Sequence, residues 1–155
     1  MTNEEQEKQL EEKALKNIDK NGCHIIHITE DEDSPSFTYS IGIQKCTNSP
    51  EIIITGLDSD TSHFLINEYN YRIKDGEKFE ADKFYDEFLD EVKVTFKEVE
   101  LKHYPDYFGW ANWLYKGDDF KVLHMIWPDT NGAWPWEKKA SKDYRWHMPP
   151  LYARK

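Results

Sequence analysis

Three indoles, Trp127, Trp134 and Trp136, fall within ten positions of one another, in a segment that also holds Pro128, Asp129, Gly132 and Pro135. Rings held by prolines and a glycine can line an apolar pocket, form a rigid contact surface for a protein, or lid the core. A second set of candidates lies on one strand pattern. From Ser36 to Ile43, large residues (Phe37, Tyr39, Ile41, Ile43) alternate with small ones (Ser36, Thr38, Ser40, Gly42). One face of such a strand buries itself, and the small, hydroxylated face with Thr38 and Ser40 is open to a ligand or to close packing. His63, near Asp58 and Asp60, can act toward that face as a general base or a ligand contact, or simply sit at the helix rim. Tyr107, Trp127 and Asp129 are further candidates to converge there. His124 shares a strand face with Phe120, Val122 and Ile126 and reads as a core histidine held by a hydrogen bond.

These residues do not complete a catalytic constellation, so enzyme status stays open with a non-enzyme favoured. Ser40 lacks the Gly-x-Ser-x-Gly elbow that strains a nucleophile into place. Neither Cys23 nor Cys46 lies in a Cys-x-x-Cys or helix-start context that would activate a thiol. Gly42 and Gly56 are isolated, which leaves no phosphate-binding loop. On a strand His24 and His27 point to opposite faces, so with Cys23 they form no ligand set, and neither metal nor cofactor is expected.

Composition narrows the partners. A chain of 155 residues suits one domain with its own core, and 15% aromatic residues can bury large areas per side chain. A net charge of -10 opposes binding to nucleic acid or to an anionic membrane surface, because both would repel it. A protein with a basic surface is the partner this charge favours. From Glu137 onward six basic residues stand against two acidic ones, Arg154 and Lys155 among the former, so a tail of +4 follows a body of -14. Two cysteines make no disulfide framework, and the acidic opening Met1-Thr2-Asn3-Glu4 lacks the pattern of a secretory signal. No run approaches membrane-spanning length. The expected setting is a reducing cytoplasm.

The elements that must hold these residues follow from periodicity. Thr2 and Glu5 have capping-box spacing and Leu10, Ala14 and Ile18 recur every fourth position, which predicts a helix over residues 2–20 on the outside of the fold. Residues 1–21 are read as that helix and 22–155 as the domain proper. Strands are predicted at 23–29, on both sides of a polar turn within 35–57, at 92–97 and at 120–127. A helix is predicted from Asp58 to about Lys74, with Leu65, Tyr69 and Ile73 on its packed face. The aromatics Phe79, Phe84, Tyr85, Phe88 and Leu89 among acids read as a short helix or turn, and residues 128–136 as an ordered loop. The class is α+β: one domain with an antiparallel or mixed sheet of about five strands and helices mainly on one face.

Phe37-Thr38-Tyr39-Ser40-Ile41-Gly42, Pro50-Glu51, Gly56-Leu57, Gly76 with Phe79, then Trp127-Pro128-Asp129 with Gly132 and Pro135-Trp136 together resemble the bacterial domain-of-unknown-function family four-two-six-two. The resemblance spans about Gly22 to Leu151 and leaves the first helix as an addition. It implies one compact bacterial domain and no particular activity. Members commonly carry His before the Pro-Glu pair where this chain has Ser49, and Gln at the positions of His124 and His147.

The functional expectation is a small acidic cytosolic protein that docks on another, basic protein, as a neutralising immunity-type partner of a toxin or as a regulator. The alternative is a small-molecule-binding domain or enzyme with its pocket at the face of strand 36–43.

Overall fold

In the computed structural model, which describes residues 2–153, Thr2 and Glu5 cap each other as their spacing predicts, with Glu5 N donating to Thr2 Oγ1 at 3.2 Å. Helix α1 (Asn3–Asn21) follows and ends at Gly22, whose φ of 86° frees its N–H for the Ile18 carbonyl. Only Ala14 and Ile18 of α1 are buried, while Leu10 is 52% exposed. The helix therefore rests on the sheet by its second half alone. Met1, Arg154 and Lys155 lie outside the described residues, and with them the far end of the basic tail.

Strands β1 (His24–Ile28) and β2 (Phe37–Ile41) pair antiparallel, and β2 pairs antiparallel with β3 (Glu51–Thr55). Phe37, Tyr39 and Ile41 face one core as their alternation predicts. Ile43 does not continue the strand. It opens a short helix, α2 (Ile43–Thr47), and its side chain enters the opposite core. Gly42 makes this reversal at φ 103°, a backbone conformation that favours glycine.

What caps α2 is a carboxylate from the next strand. Glu51 is buried and accepts from Ser40 Oγ (2.8 Å) and from the backbone N–H groups of Gly42 (3.0 Å), Ile43 (3.1 Å) and Gln44 (3.1 Å). The Tyr115 hydroxyl, from helix α5 (Gly109–Tyr115), donates to it as well. Burial pushes the Glu51 carboxyl above its ordinary pKa, and these hydrogen bonds pull it back toward the ionised form that alone accepts all of them. Helix α3 (Ser59–Lys74) starts where Asp58 accepts from Thr61 N, and Leu65, Tyr69 and Ile73 face the core as expected.

The segment rich in aromatics and acids folds as an edge strand, β4 (Phe84–Leu89), and not as the helix or turn its pattern suggested. It pairs antiparallel with β5 (Val92–Glu98) through a two-residue connection, Asp90-Glu91. Glu91 takes φ 61° and Glu87 φ 72° at a shift in register. Such turns usually announce themselves with Asn-Gly or Asp-Gly, and this one does not. After the 3-10 turn Leu101–His103 come α4 (Tyr104–Tyr107), α5, β6 (Val122–Ile126) and, beyond the expected loop and within the basic tail, a further helix α6 (Lys142–His147) capped by Ser141.

The six strands form one mixed sheet in the order β1-β2-β3-β6-β5-β4, with β3 and β6 parallel neighbours at its centre. The α+β class stands. Because β2, β3 and β6 are buried at every position, both faces need cover, and helices lie on both. Helix α3 packs on Ile52, Ile54, Leu123 and Met125; α1, α4 and α5 pack on Tyr39, Ile53 and Val122 of the opposite face. Among the described residues no helix is long and apolar enough to cross a membrane.

Replacing Glu51 by Gln puts an amide donor against backbone donors inside this core. Glu51→Gln is expected to lower stability by about 3–5 kcal/mol, and Tyr115→Phe by roughly 1.5–3. Urea unfolding measures both. A loss under about 1 kcal/mol for Glu51→Gln would show that the carboxylate does not hold this junction.

Candidate functional site

The small face of β2 is a packing surface. Thr38 and Ser40 are both fully buried, on the side of the sheet that α3 covers. Thr38 Oγ1 lies 2.6 Å from His27 Nδ1, and Ser40 Oγ, besides donating to Glu51, accepts from Ile52 N at 3.1 Å. A pocket at strand 36–43 is therefore not formed: α3 and the Glu51 network occupy that space. His63 sits in the first turn of α3 with Nδ1 2.8 Å from the Ser59 carbonyl. A carbonyl only accepts, so Nδ1 carries the hydrogen and the ring is tied to its own helix. Tyr107 lies on the other face of the sheet, edge-on to Phe37 at 4.8 Å. Ser40 is beside the first residue of β3, whereas Asp129 follows the last residues of β6, so the two stand at opposite ends of the parallel pair.

Trp127 and Asp129 do meet a cavity. It holds about 560 Å³ at the carboxyl ends of β3 and β6, between Thr55-Gly56-Leu57, the Trp127–Asn131 segment and helix α6. Asp129 builds its own loop: Oδ1 accepts from Asn131 N (2.9 Å) and Ala133 N (2.8 Å), and Asp129 N donates to the Ala133 carbonyl (2.8 Å). Helix α6 closes the other side. The Tyr144 hydroxyl donates to the Trp127 carbonyl, and its pKa is raised by burial first and then by the charge of Asp129. His147 Nδ1 lies 2.8 Å from the Asp143 carbonyl, so it too donates within its own helix. Gly56, at φ 78°, lets the end of β3 approach α6: a Cβ there would come within 2.5 Å of the His147 carbonyl oxygen.

Below this cavity lies His124, fully buried as expected of a core histidine. Its Nε2 is 3.1 Å from Thr55 Oγ1, and Thr55 Oγ1 in turn donates to Met148 Sδ at 3.6 Å. Since the sulfur only accepts, this network assigns the hydrogen to Nε2. Nδ1 is then a buried acceptor with no protein partner. Burial alone drives the ring's pKa down to about 3.

Trp134 and Trp136 form a separate feature. Their rings stack at 5.5 Å and 6°, with Phe84 edge-on to Trp134 at 5.4 Å and Tyr152 edge-on to Trp136 at 6.1 Å. Trp136 is 47% and Phe84 54% exposed, so the pair is an open platform and not a sealed lid. Lys97 Nζ stands 4.8 Å from the Trp136 ring and also pairs with Asp82. Glu137 Oε1 accepts from Trp134 N at 2.9 Å and fixes the turn.

A second cavity of about 560 Å³ opens near Gln44, Asn48, Glu98 and Asp118 and contains none of the expected site residues. Among the described residues there is no group of three or more His, Cys, Asp or Glu side chains placed to hold a metal. The Cys23 thiol is buried and its pKa is pushed up to about 12, first by that burial. Sequence reasoning missed Thr55, Tyr144 and Met148, which carry no motif. Glu51 did leave a signal: a lone carboxylate opening an otherwise apolar strand.

Residues 17–141 match the family described as Domain of unknown function (DUF4262), and the chain belongs to it. The matched stretch contains the Trp127–Trp136 loop and β1 to β6, and stops just before α6. None of the curated proteins and none of the solved structures compared with the chain matches it.

His124 is neutral in the fold but titrates near 6.5 when unfolded. Its contribution is whole above pH 6.5 and is lost as pH falls toward about 3, at about 1.4 kcal/mol per pH unit. His124→Gln removes that proton uptake. The stability difference between wild type and variant, measured by urea unfolding at neutral and acid pH, should shift in the variant's favour on acidification. A difference that stays constant with pH would refute the assignment.

Proposed function

We propose that this member of the DUF4262 family is a protein-binding module that contacts its partner through the Trp134–Trp136 platform and Phe84, and that the partner is a basic protein. The observation that carries this reading is the stacked indole pair with Trp136 half open to solvent. Large aromatics held rigid at a surface lose little entropy on binding, which is the character of interface hot spots. The acids of β4 and its turn, Asp86, Glu87, Asp90 and Glu91, lie on the strand that carries Phe84. Together with a net charge of -10 they favour a partner with exposed lysine or arginine. Neutralisation of a basic toxin is one form this role takes. Two unpaired cysteines agree with work in a reducing cytoplasm.

The test places a photo-crosslinking amino acid at position 84 in the intact protein, identifies captured proteins from the native cell, and measures their affinity for purified wild type and variants. A basic partner whose binding weakens about 30-fold in Trp136→Ala, a loss of about 2 kcal/mol, and declines with salt is expected. Binding that is unchanged in both Trp136→Ala and Phe84→Ala would sink the proposal.

A further inference from the structure

The cavity at the ends of β3 and β6 is lined by none of the platform rings, although Trp134 packs with its Trp127 and Tyr144, and its chemistry selects a different ligand. We infer that it is a binding site for a small organic cation, an ammonium or guanidinium group carried on an apolar or aromatic body.

Its position is the first argument. In open α/β sheets small molecules bind in crevices at the carboxyl ends of parallel strands, and this cavity stands in the same place relative to β3 and β6, the parallel pair of a mixed sheet. A volume of about 560 Å³ falls within the range of ligand pockets. Charge is the second argument. Asp129 and Asp143 both line the cavity, and the residues that line it include no lysine or arginine. Asp129 is already oriented, because both backbone donors of its loop go to Oδ1 and neither to Oδ2. Aromatic surface is the third. Trp127 and Tyr144 line the cavity, and an ammonium or guanidinium is attracted to indole and phenol rings as well as to carboxylates. His147 also lines the cavity, with Nδ1 committed to the Asp143 carbonyl. Leu57 and Met148 supply the apolar wall that the ligand's body covers.

The experiment titrates the full chain with tyramine and agmatine, and with 4-hydroxyphenylacetate as the anionic counterpart of tyramine. Amide shifts of Thr55, Gly56 and Asp143 are followed by NMR, with affinities from calorimetry. The amines are expected to move these amides with a Kd near or below about 1 mM, and the anion to leave them in place. Asp143→Asn should weaken amine binding about fivefold. The Asp143 side chain is 91% exposed, so that variant leaves the fold intact. Trp136→Ala should leave amine binding unchanged, which separates this site from the platform. The inference is overturned if neither amine shifts these amides at ~10 mM, if the anion binds equally well, or if Asp143→Asn binds as wild type does. Binding of an arginine-containing peptide without binding of either free amine overturns it too, and assigns the cavity to a protein partner.

Discussion

A single buried carboxylate joins four elements at one point. Glu51 begins β3, accepts the hydroxyl of Ser40 on β2, caps the first turn of α2 through three backbone N–H groups, and takes the Tyr115 hydroxyl from α5. Desolvating a carboxylate is costly, and five donors offset the cost only when all are in place. That condition is geometric: it sets where β2 must stop, which way Gly42 must turn, and how close α5 must come to the sheet. The rest of the fold inherits its register from this junction, since β2 and β3 are the strands through which β1 and β6 attach.

The two ends of β3 differ in their polar surroundings. At the start of β3 the polar groups are saturated by one another, and Ser40, on the face read as open to a ligand or to close packing, is fully engaged as donor and acceptor. At the far end of β3 they are not. Gly56 turns away at a positive φ, the Trp127–Asp129 segment leaves β6, and α6 bridges the gap with Tyr144 and His147. A closed end and an open end on the same pair of strands give polar residues of similar type unlike surroundings.

Sequence patterns carried what is encoded locally. The capping box at Thr2, the alternation of Phe37, Tyr39 and Ile41, the caps of α3 and the buried face of Leu65, Tyr69 and Ile73 each depend on neighbours a few positions away, and each was legible. What was not legible depends on distant partners. The α2 cap lies on another strand, seven to nine residues downstream of the amides it serves. The β4–β5 turn uses Asp90-Glu91 with no glycine, so only pairing with β5 makes β4 a strand. Of the site residues, Trp127 and Asp129 were legible because Trp-Pro-Asp is unusual in itself. The expected convergence of Thr38, Ser40, His63 and Tyr107 failed because alternation assigns a strand face but not what covers it, and α3 covers this one. Helix α6 was missed within a stretch read only for its basic charge, although Ser141 is a proper cap.

The loop from Trp127 to Glu137 belongs to both surfaces. Its first half, Trp127 to Asn131, lines the cavity, and its second half presents Trp134 and Trp136. Asp129 ties the halves together, since its carboxylate and amide hold Ala133 in place just before the first platform ring. A ligand that drew Asp129 toward the cavity would have to do so through Oδ2 or give up those bonds, and giving them up would loosen the turn that orients Trp134. Tyr144 braces the same loop from α6 through the Trp127 carbonyl. The two surfaces are therefore separate in chemistry but share one short, hydrogen-bonded support. An effect of one on the other has two routes: Asp129 and its bonds to residue 133, and the cluster in which Trp127, Tyr144 and Met148 of the cavity pack with Trp134 and Tyr152.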